Sequence, residues 1–130
     1  MNALADALVR LLQQHRLVKT VRVVNYDETP AGKVELKIRC RLAGRYQLQV
    51  WLHHEPAFQD YAYQLFTNRP LLRWDNSPHY PDIATAPHHF HNEREEVGPS
   101  PLTGTPVQDV RYVLDEIEQW LSKESDSLTV

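Results

Sequence analysis

The sequence contains a single cysteine, Cys40, so it can form neither an intramolecular disulfide nor a zinc site built on cysteine ligands. It also lacks any apolar run near the ~18 residues that span a membrane. An acid, Asp6, stands close to the N-terminus, where a secretion signal carries basic residues. We therefore expect a protein of the reducing cytoplasm that has no membrane partner.

Sequence signatures of several enzyme classes are missing as well. The chain has no phosphate-cradling glycine loop, no Gly-x-Ser-x-Gly motif and no pair of catalytic carboxylates. These absences disfavour a kinase, a nucleotide-binding fold and a hydrolase of the triad type. The net charge of −3 over 130 residues also means that the field of the whole molecule does not indicate a nucleic-acid binder.

Alternating apolar and polar residues predict the strands. Residues 33–42 alternate strictly, residues 45–52 repeat the pattern, and the Ala43-Gly44 pair between them is typical of a tight hairpin. The apolar face of this hairpin is expected to be buried. Three further strands are predicted over residues 18–26, 58–68 and 71–74.

Two amphipathic helices are predicted near the ends of the chain. Residues 3–15 carry apolar side chains at helical spacing, and Thr105-Pro106 offers an N-cap hydroxyl followed by proline at the first helical position. The fold class is therefore α+β: an antiparallel sheet of about five strands packed against an N-terminal and a C-terminal helix. Residues 1–122 are expected to form this single domain, and residues 123–130 a polar C-terminal tail.

The segment between the last predicted strand and the last helix has an unusual composition. Six of the nine prolines and four of the seven histidines of the chain lie between Asn76 and Pro106. Proline fixes φ and removes a hydrogen-bond donor, so this segment is not expected to form a helix or a central strand. It is predicted to be an ordered, proline-stiffened loop that carries His79, His88, His89 and His91.

Three kinds of chemistry could use this loop and the strand before it. A pair of histidines can act as general acid and base on a phosphodiester, with Arg73 holding the phosphate. The His-His-x-His string and Asp75 also offer enough ligands for a divalent ion, although their spacing in a loop leaves the ligand geometry unconstrained. Alternatively, Asp75 and Asn76 are turn formers, and the histidines cap loop carbonyls.

A second feature is a basic stripe on the outer side of the predicted hairpin. Lys37, Arg39 and Arg41 all face away from the apolar side, and Arg45 follows them. Such a stripe is either a solvated sheet face or a patch that contacts phosphates, because local clustering can oppose a negative net charge.

Three short motifs occur in a fixed order along the second half of the chain. They are residues 74–79 (Trp-Asp-Asn-Ser-Pro-His), 87–91 (Pro-His-His-Phe-His) and 97–100 (Val-Gly-Pro-Ser), followed by an acidic helix. In length and in this ordered set, the chain resembles the TumE-type proteins of bacteria and archaea, which are regarded as the toxin half of toxin–antitoxin pairs. Two positions depart from the family pattern: Tyr80 replaces a frequent second histidine, and Phe90 a frequent lysine.

The resemblance implies a growth-inhibiting toxin that is neutralised by a small antitoxin protein. By analogy with other small toxins, it suggests RNA cleavage, with RNA as a second partner and no required cofactor. In this interpretation Arg73 and Asn76 bind the substrate, and Asp75 orients a histidine. Acid and base catalysis come from the loop histidines His79, His88, His89 and His91.

The rival interpretation is a non-enzymatic protein-interaction or metal-binding domain in which the histidine loop is structural. Its function would then lie in a surface that binds a partner. Both interpretations leave open whether the chain forms homo-oligomers.

Overall fold

The computed structural model describes residues 1–128, and the side chains of residues 1–125. Its seven strands form one antiparallel sheet in which the strands lie in sequence order. The α+β class, with a helix near each end of the chain, is confirmed. The elements are α1 (Ala3–Gln14), β1 (Thr20–Glu28), β2 (Val34–Arg41), β3 (Gln47–Glu55), β4 (Phe58–Phe66), β5 (Pro70–Asp75), β6 (His89–His91), β7 (Val97–Pro99) and α2 (Pro106–Leu128).

One face of the sheet forms the core. The predicted alternation of β2 and β3 is confirmed, since Val34, Leu36, Ile38, Leu48 and Val50 are all buried. Side chains of both helices join the same apolar cluster, so α1 and α2 cover this face together. Removing the alternating apolar side chains from water stabilises this arrangement by roughly 25 cal/mol per Å² of apolar area. The opposite face of the sheet is therefore left to the polar side chains.

The last helix begins where the sequence predicts. The Asp109 backbone N–H donates to the Thr105 carbonyl at 2.8 Å, which is the first helical bond after Pro106. The buried Asp109 carboxylate also accepts from the backbone N–H groups of Thr103 and Gly104, at 3.1 and 2.8 Å. These bonds tie the incoming loop to the first turn of α2.

The helix α2 extends beyond the predicted end of the domain. It continues to Leu128 and thus takes in most of the segment 123–130, which the sequence analysis assigned to a polar tail. Residues 129 and 130 of that segment lie outside the described residues. Among residues 1–128, no helix combines the length and the apolarity that crossing a membrane requires.

The proline- and histidine-rich segment is partly strand, and here the sequence analysis was wrong. The sheet has seven strands instead of about five, because β6 and β7 both lie within residues 76–106. The three residues of β6 contain no proline, so their donors are available to both neighbouring strands. Pro99 lies in β7, which is an edge strand of the sheet. Proline is tolerated there because its missing N–H does not interrupt the hydrogen bonds between two neighbouring strands.

We expect Ile38→Ala to lower the free energy of unfolding by about 2–5 kcal/mol, because it leaves a cavity in a fully buried position of the sheet. The matched control is Glu35→Ala on the same strand, which changes an exposed side chain and should alter stability by less than ~0.5 kcal/mol. Urea denaturation followed by circular dichroism measures both values. Equal stability of the two variants would contradict the assignment of the buried face.

Candidate functional site

The candidate site lies on the sheet face that the helices leave uncovered. In β5 the side chains of Arg73 and Asp75 point away from the buried Trp74, and in β6 His89 and His91 flank Phe90 in the same way. The register of the two strands pairs Arg73 with His91 and Asp75 with His89. Four of the predicted site residues are therefore brought together as cross-strand neighbours, and we call them the Asp75 cluster.

The carboxylate of Asp75 is the centre of this cluster. Its side chain is only 6% exposed. The carboxylate accepts from Arg73 Nε at 2.7 Å and from the Ser77 backbone N–H at 3.0 Å. His89 Nε2 lies 2.9 Å from Oδ1, and His91 Nε2 lies 3.5 Å from Oδ2. Donors from a strand, a loop and a second strand thus converge on one buried anion.

These contacts keep Asp75 ionised. Burial by itself would raise the pKa of the carboxyl group, but the Ser77 N–H bond and the Arg73 guanidinium outweigh burial, and His89 adds to their effect. The pKa of Asp75 is therefore lower than its ordinary value. The cluster contains a fixed negative charge at neutral pH, which holds the neighbouring side chains in place.

His89 is held in a fixed orientation inside the cluster. Its side chain is 1% exposed, and Nδ1 lies 2.9 Å from the Pro87 carbonyl. Because a carbonyl oxygen only accepts, Nδ1 carries the proton and Nε2 points to Asp75. Although Nε2 is close to that carboxylate, it is not aligned for a hydrogen bond, and it has no such partner among residues 1–128. The imidazole of His89 is therefore almost completely shielded from solvent.

His91 is the imidazole of the cluster that solvent can reach. Its side chain is 26% exposed. Burial lowers the pKa of His91 below its ordinary value, and the nearby His89 and Arg73 act in the same direction, against the opposing charge of Asp75. His91 is therefore largely neutral at pH 7 and able to accept a proton.

The remaining predicted site residues lie elsewhere. His88 stacks on Tyr61, with its Nδ1 2.8 Å from the Tyr61 hydroxyl. Tyr61 belongs to the core, so His88 lies on the opposite side of the sheet from the Asp75 cluster. His79 is exposed and makes no hydrogen bond or ion pair with the described part of the chain. Asn76 binds the β4 backbone through both ends of its carboxamide, at Tyr61 N (3.0 Å) and Gln59 O (2.8 Å).

Two neighbours of the cluster were not predicted as site residues. The ring of Tyr80 packs over His89 and His91, at centroid distances of 4.7 and 5.7 Å. Gln64 accepts from Arg73 Nη1 at 3.0 Å, because β4 pairs with β5 and places these residues opposite each other. Tyr80 could have been found from its position beside the first histidine motif, whereas Gln64 becomes visible only once the strand register is known.

A divalent ion is a poor fit to this arrangement. Asp75, His89 and His91 each offer one ligand atom, and these atoms all lie within 4.8 Å of one another. Two imidazoles and a carboxylate suit a transition metal. However, Arg73 Nε already donates to the carboxylate at 2.7 Å, and its positive charge opposes a second cation at the same oxygens. In this structure the Arg73 guanidinium, and not a metal ion, neutralises the charge of the Asp75 carboxylate.

The fold and the cluster define a small α+β protein with a group of ionisable side chains on an open sheet face. The family model described as Toxin TumE matches residues 8–121, which include all seven strands and the whole cluster. The chain therefore belongs to the TumE toxin family. Neither the curated proteins nor the solved structures contain a match to it. As a member of this family, the chain is the toxin component of a toxin–antitoxin system, and a cognate antitoxin is its partner.

We expect Asp75→Asn to lower the free energy of unfolding by about 1–3 kcal/mol at neutral pH, because buried donors lose their acceptor charge. The pKa of Asp75 is lower in the folded protein than in the unfolded chain. Its ionised form therefore stabilises the fold above the unfolded pKa of ~4, and this contribution is lost as the pH falls through the folded pKa. The difference between wild type and variant should shrink below pH ~4.

Urea denaturation at a series of pH values tests this expectation. Asp60→Asn is the control, since the Asp60 side chain is 45% exposed and its loss should change stability by less than ~0.5 kcal/mol. A penalty for Asp75→Asn that stays constant over the whole acid range would contradict the low pKa of Asp75.

We also expect the untagged protein to contain no stoichiometric transition metal, because Arg73 neutralises the only carboxylate of the cluster. Elemental analysis of the purified toxin measures this directly. An Arg73→Gln variant provides the comparison, since removing the guanidinium should allow the three ligands to bind added zinc. One metal ion per wild-type chain, released only by a chelator, would show that the guanidinium does not exclude a cation.

Proposed function

We propose that this toxin cleaves RNA without a metal, with the Asp75 cluster as its active centre. The observation that carries the proposal is the position of His91. It is a solvent-accessible imidazole of lowered pKa beside a buried carboxylate, and Arg73 lies directly opposite it on the next strand. A neutral imidazole next to a guanidinium is the combination that phosphodiester cleavage needs.

Arg73 is the phosphate-binding group in this proposal. Its side chain is 41% exposed, and it donates through Nε to Asp75 and through Nη1 to Gln64. These two bonds hold the guanidinium in place, and Nη2 makes no bond to residues 1–128 that would compete with a phosphate oxygen. A guanidinium held in this way binds a phosphate oxygen and stabilises the negative charge that develops on it during the reaction.

His91 acts as the general base. It removes the proton from the ribose 2′-hydroxyl, the 2′-oxygen forms a bond to phosphorus, and the bond from phosphorus to the 5′-oxygen breaks. The departing 5′-oxygen takes a proton from water. The products are a 2′,3′-cyclic phosphate and a 5′-hydroxyl end, so the reaction requires RNA, because DNA has no 2′-hydroxyl.

The other members of the cluster are positioning residues. Asp75 lies 3.5 Å from His91 Nε2, and the buried His89 packs edge-on against the His91 ring, with 4.9 Å between the centroids. Tyr80 covers both imidazoles from the loop side. His79 and His88 have no catalytic role in this proposal, since one is exposed without a partner in the described chain and the other packs on Tyr61.

We expect His91→Gln to reduce RNA cleavage by ~10²- to 10⁴-fold, which is the usual effect of losing a general base. The wild-type rate should persist through pH ~6.5, the ordinary pKa of an imidazole, and fall at lower pH, because the pKa of His91 is lowered and protonated His91 cannot accept a proton. Purified toxin and a labelled RNA measure both effects, and mass spectrometry of the fragments should detect the cyclic phosphate. The matched control is His79→Gln, which changes an exposed imidazole in the loop between β5 and β6 and should retain activity and toxicity.

The same variants separate the enzyme from its non-enzymatic rival. A binding domain with a structural histidine loop would leave RNA intact in growth-arrested cells, and His91→Gln would remain toxic. Thermal unfolding of each variant ensures that a lost activity does not reflect a lost fold. If His91→Gln is folded and fully toxic, the proposed active centre is wrong.

A further inference from the structure

A straight row of polar side chains crosses the outer face of the sheet and ends at the Asp75 cluster. The register of the six strands β1 to β6 places one residue of each strand opposite the next. At ~4.8 Å between neighbouring strands, the row is about 24 Å long. None of its members is acidic, and in order from β1 to β6 they are Arg22, Arg39, Gln49, Gln64, Arg73 and His91.

Hydrogen bonds between its members make the row an ordered surface. Arg39 donates through Nη2 to Gln49 at 2.8 Å, just as Arg73 donates to Gln64 further along. The Arg39 guanidinium also lies 5.9 Å from the centre of the Phe66 ring. Its Nε is buried and has no hydrogen-bond partner in the described part of the protein. Both arginines are therefore held in place by the glutamine side chains of neighbouring strands.

Charge is distributed unevenly across this face. Arg41 lies beside the row on one side and Lys37 on the other, and both belong to the basic stripe noted in the sequence. Asp75 is already neutralised by Arg73, and Glu95, in the turn after β6, lines the same cleft as Arg73 and His91. On strands β1 to β4 the acids of the outer face lie two or more rows away, beyond Lys37. Those acids are Asp27, Glu35, Glu55 and Asp60. The row is therefore the part of this face that attracts an anionic chain.

A cleft opens between this row and the loop that leaves β5. It has a volume of about 240 Å³, and Trp51, Asp60, Arg73, Asp75 and Pro78 are among the residues that line it. Trp51 is half-buried on the outer face and lies opposite Lys37 in the strand register. The cleft thus provides an aromatic surface directly beside the proposed phosphate-binding guanidinium.

We propose that this face binds single-stranded RNA, with the phosphate backbone along the row from Arg22 to His91 and one base stacked on Trp51 in the cleft. The inference rests on the proposed RNA cleavage and names the form of its substrate. A basic track combined with an aromatic stacking surface is the usual combination for single strands. A duplex keeps its bases stacked inside the helix, so it cannot place one of them in the cleft.

Fluorescence anisotropy with a labelled single-stranded RNA of mixed sequence tests the track. The measurement uses the full chain carrying His91→Gln, so that the RNA is not cut. Adding Arg22→Gln should weaken binding several-fold and reduce the slope of log affinity against log salt by about one. Arg111→Gln is the matched control, because it removes the same charge from an exposed position of α2, on the other side of the sheet, and should leave both values unchanged.

Two further variants test the stacking surface. Trp51→Ala should weaken binding on the order of 10- to 100-fold, as expected when one base loses its aromatic partner. Trp51→Phe retains a stacking ring and should stay within a few-fold of the parent. The duplex form of the same RNA should bind the parent protein more weakly than the single strand.

The results distinguish this inference from the proposed function. If Arg22→Gln and Trp51→Ala bind single-stranded RNA as tightly as the control, or if the duplex binds equally well, the inference is overturned whatever His91 does. If these variants lose the antitoxin while RNA binding is unchanged, the face is an antitoxin-docking surface and the inference is again wrong. RNA binding along the row without any cleavage by the wild type would instead contradict the proposed function alone.

Discussion

The arrangement of the candidate site depends on one interaction, that of the buried Asp75 carboxylate with its neighbours. An ionised group with so little exposure requires donors, and they come from β5 (Arg73) and from the loop (Ser77), while His89 of β6 lies 2.9 Å from the carboxylate. The same contacts hold β6 beside β5 and set the course of the chain between them. The charge that orients His91 therefore also organises the segment that carries it.

The two faces of the sheet differ in composition and in what they contact. The apolar face receives both helices and holds the core, so the hydrophobic contribution to stability comes from that face. The outer face remains open and can present arginine, glutamine and histidine side chains in register across six strands. Because side chains alternate between the two faces of a strand, a shift of one residue in its register would turn the apolar side chains outward and the polar side chains into the core. The buried apolar residues therefore keep the polar row aligned.

The four loop histidines show why composition alone could not assign the site. They look equivalent in the sequence, yet His88 packs against Tyr61 in the core and His79 is exposed. Only His89 and His91 share the outer face, because they are two residues apart in a strand. Because the prolines led to the prediction of a loop, the strand β6 was missed. The alternation of side chains along this strand, which places His88 on the opposite side of the sheet from His89 and His91, was therefore missed as well.

The local pattern of the sequence was enough to determine the helices, the hairpin of β2 and β3 and the face that is buried, since residues close in the chain carry that periodicity. The ordered motifs were likewise enough to indicate the TumE family. The pairing of β5 with β6 was decided by the tertiary structure, which places Asp75 opposite His89 and Arg73 opposite His91. Residues this far apart in the chain are brought together only by the contacts of the whole fold. Their pairing therefore cannot be predicted from a periodic pattern of neighbouring residues. The same reason explains why Gln64 joined the site only in three dimensions.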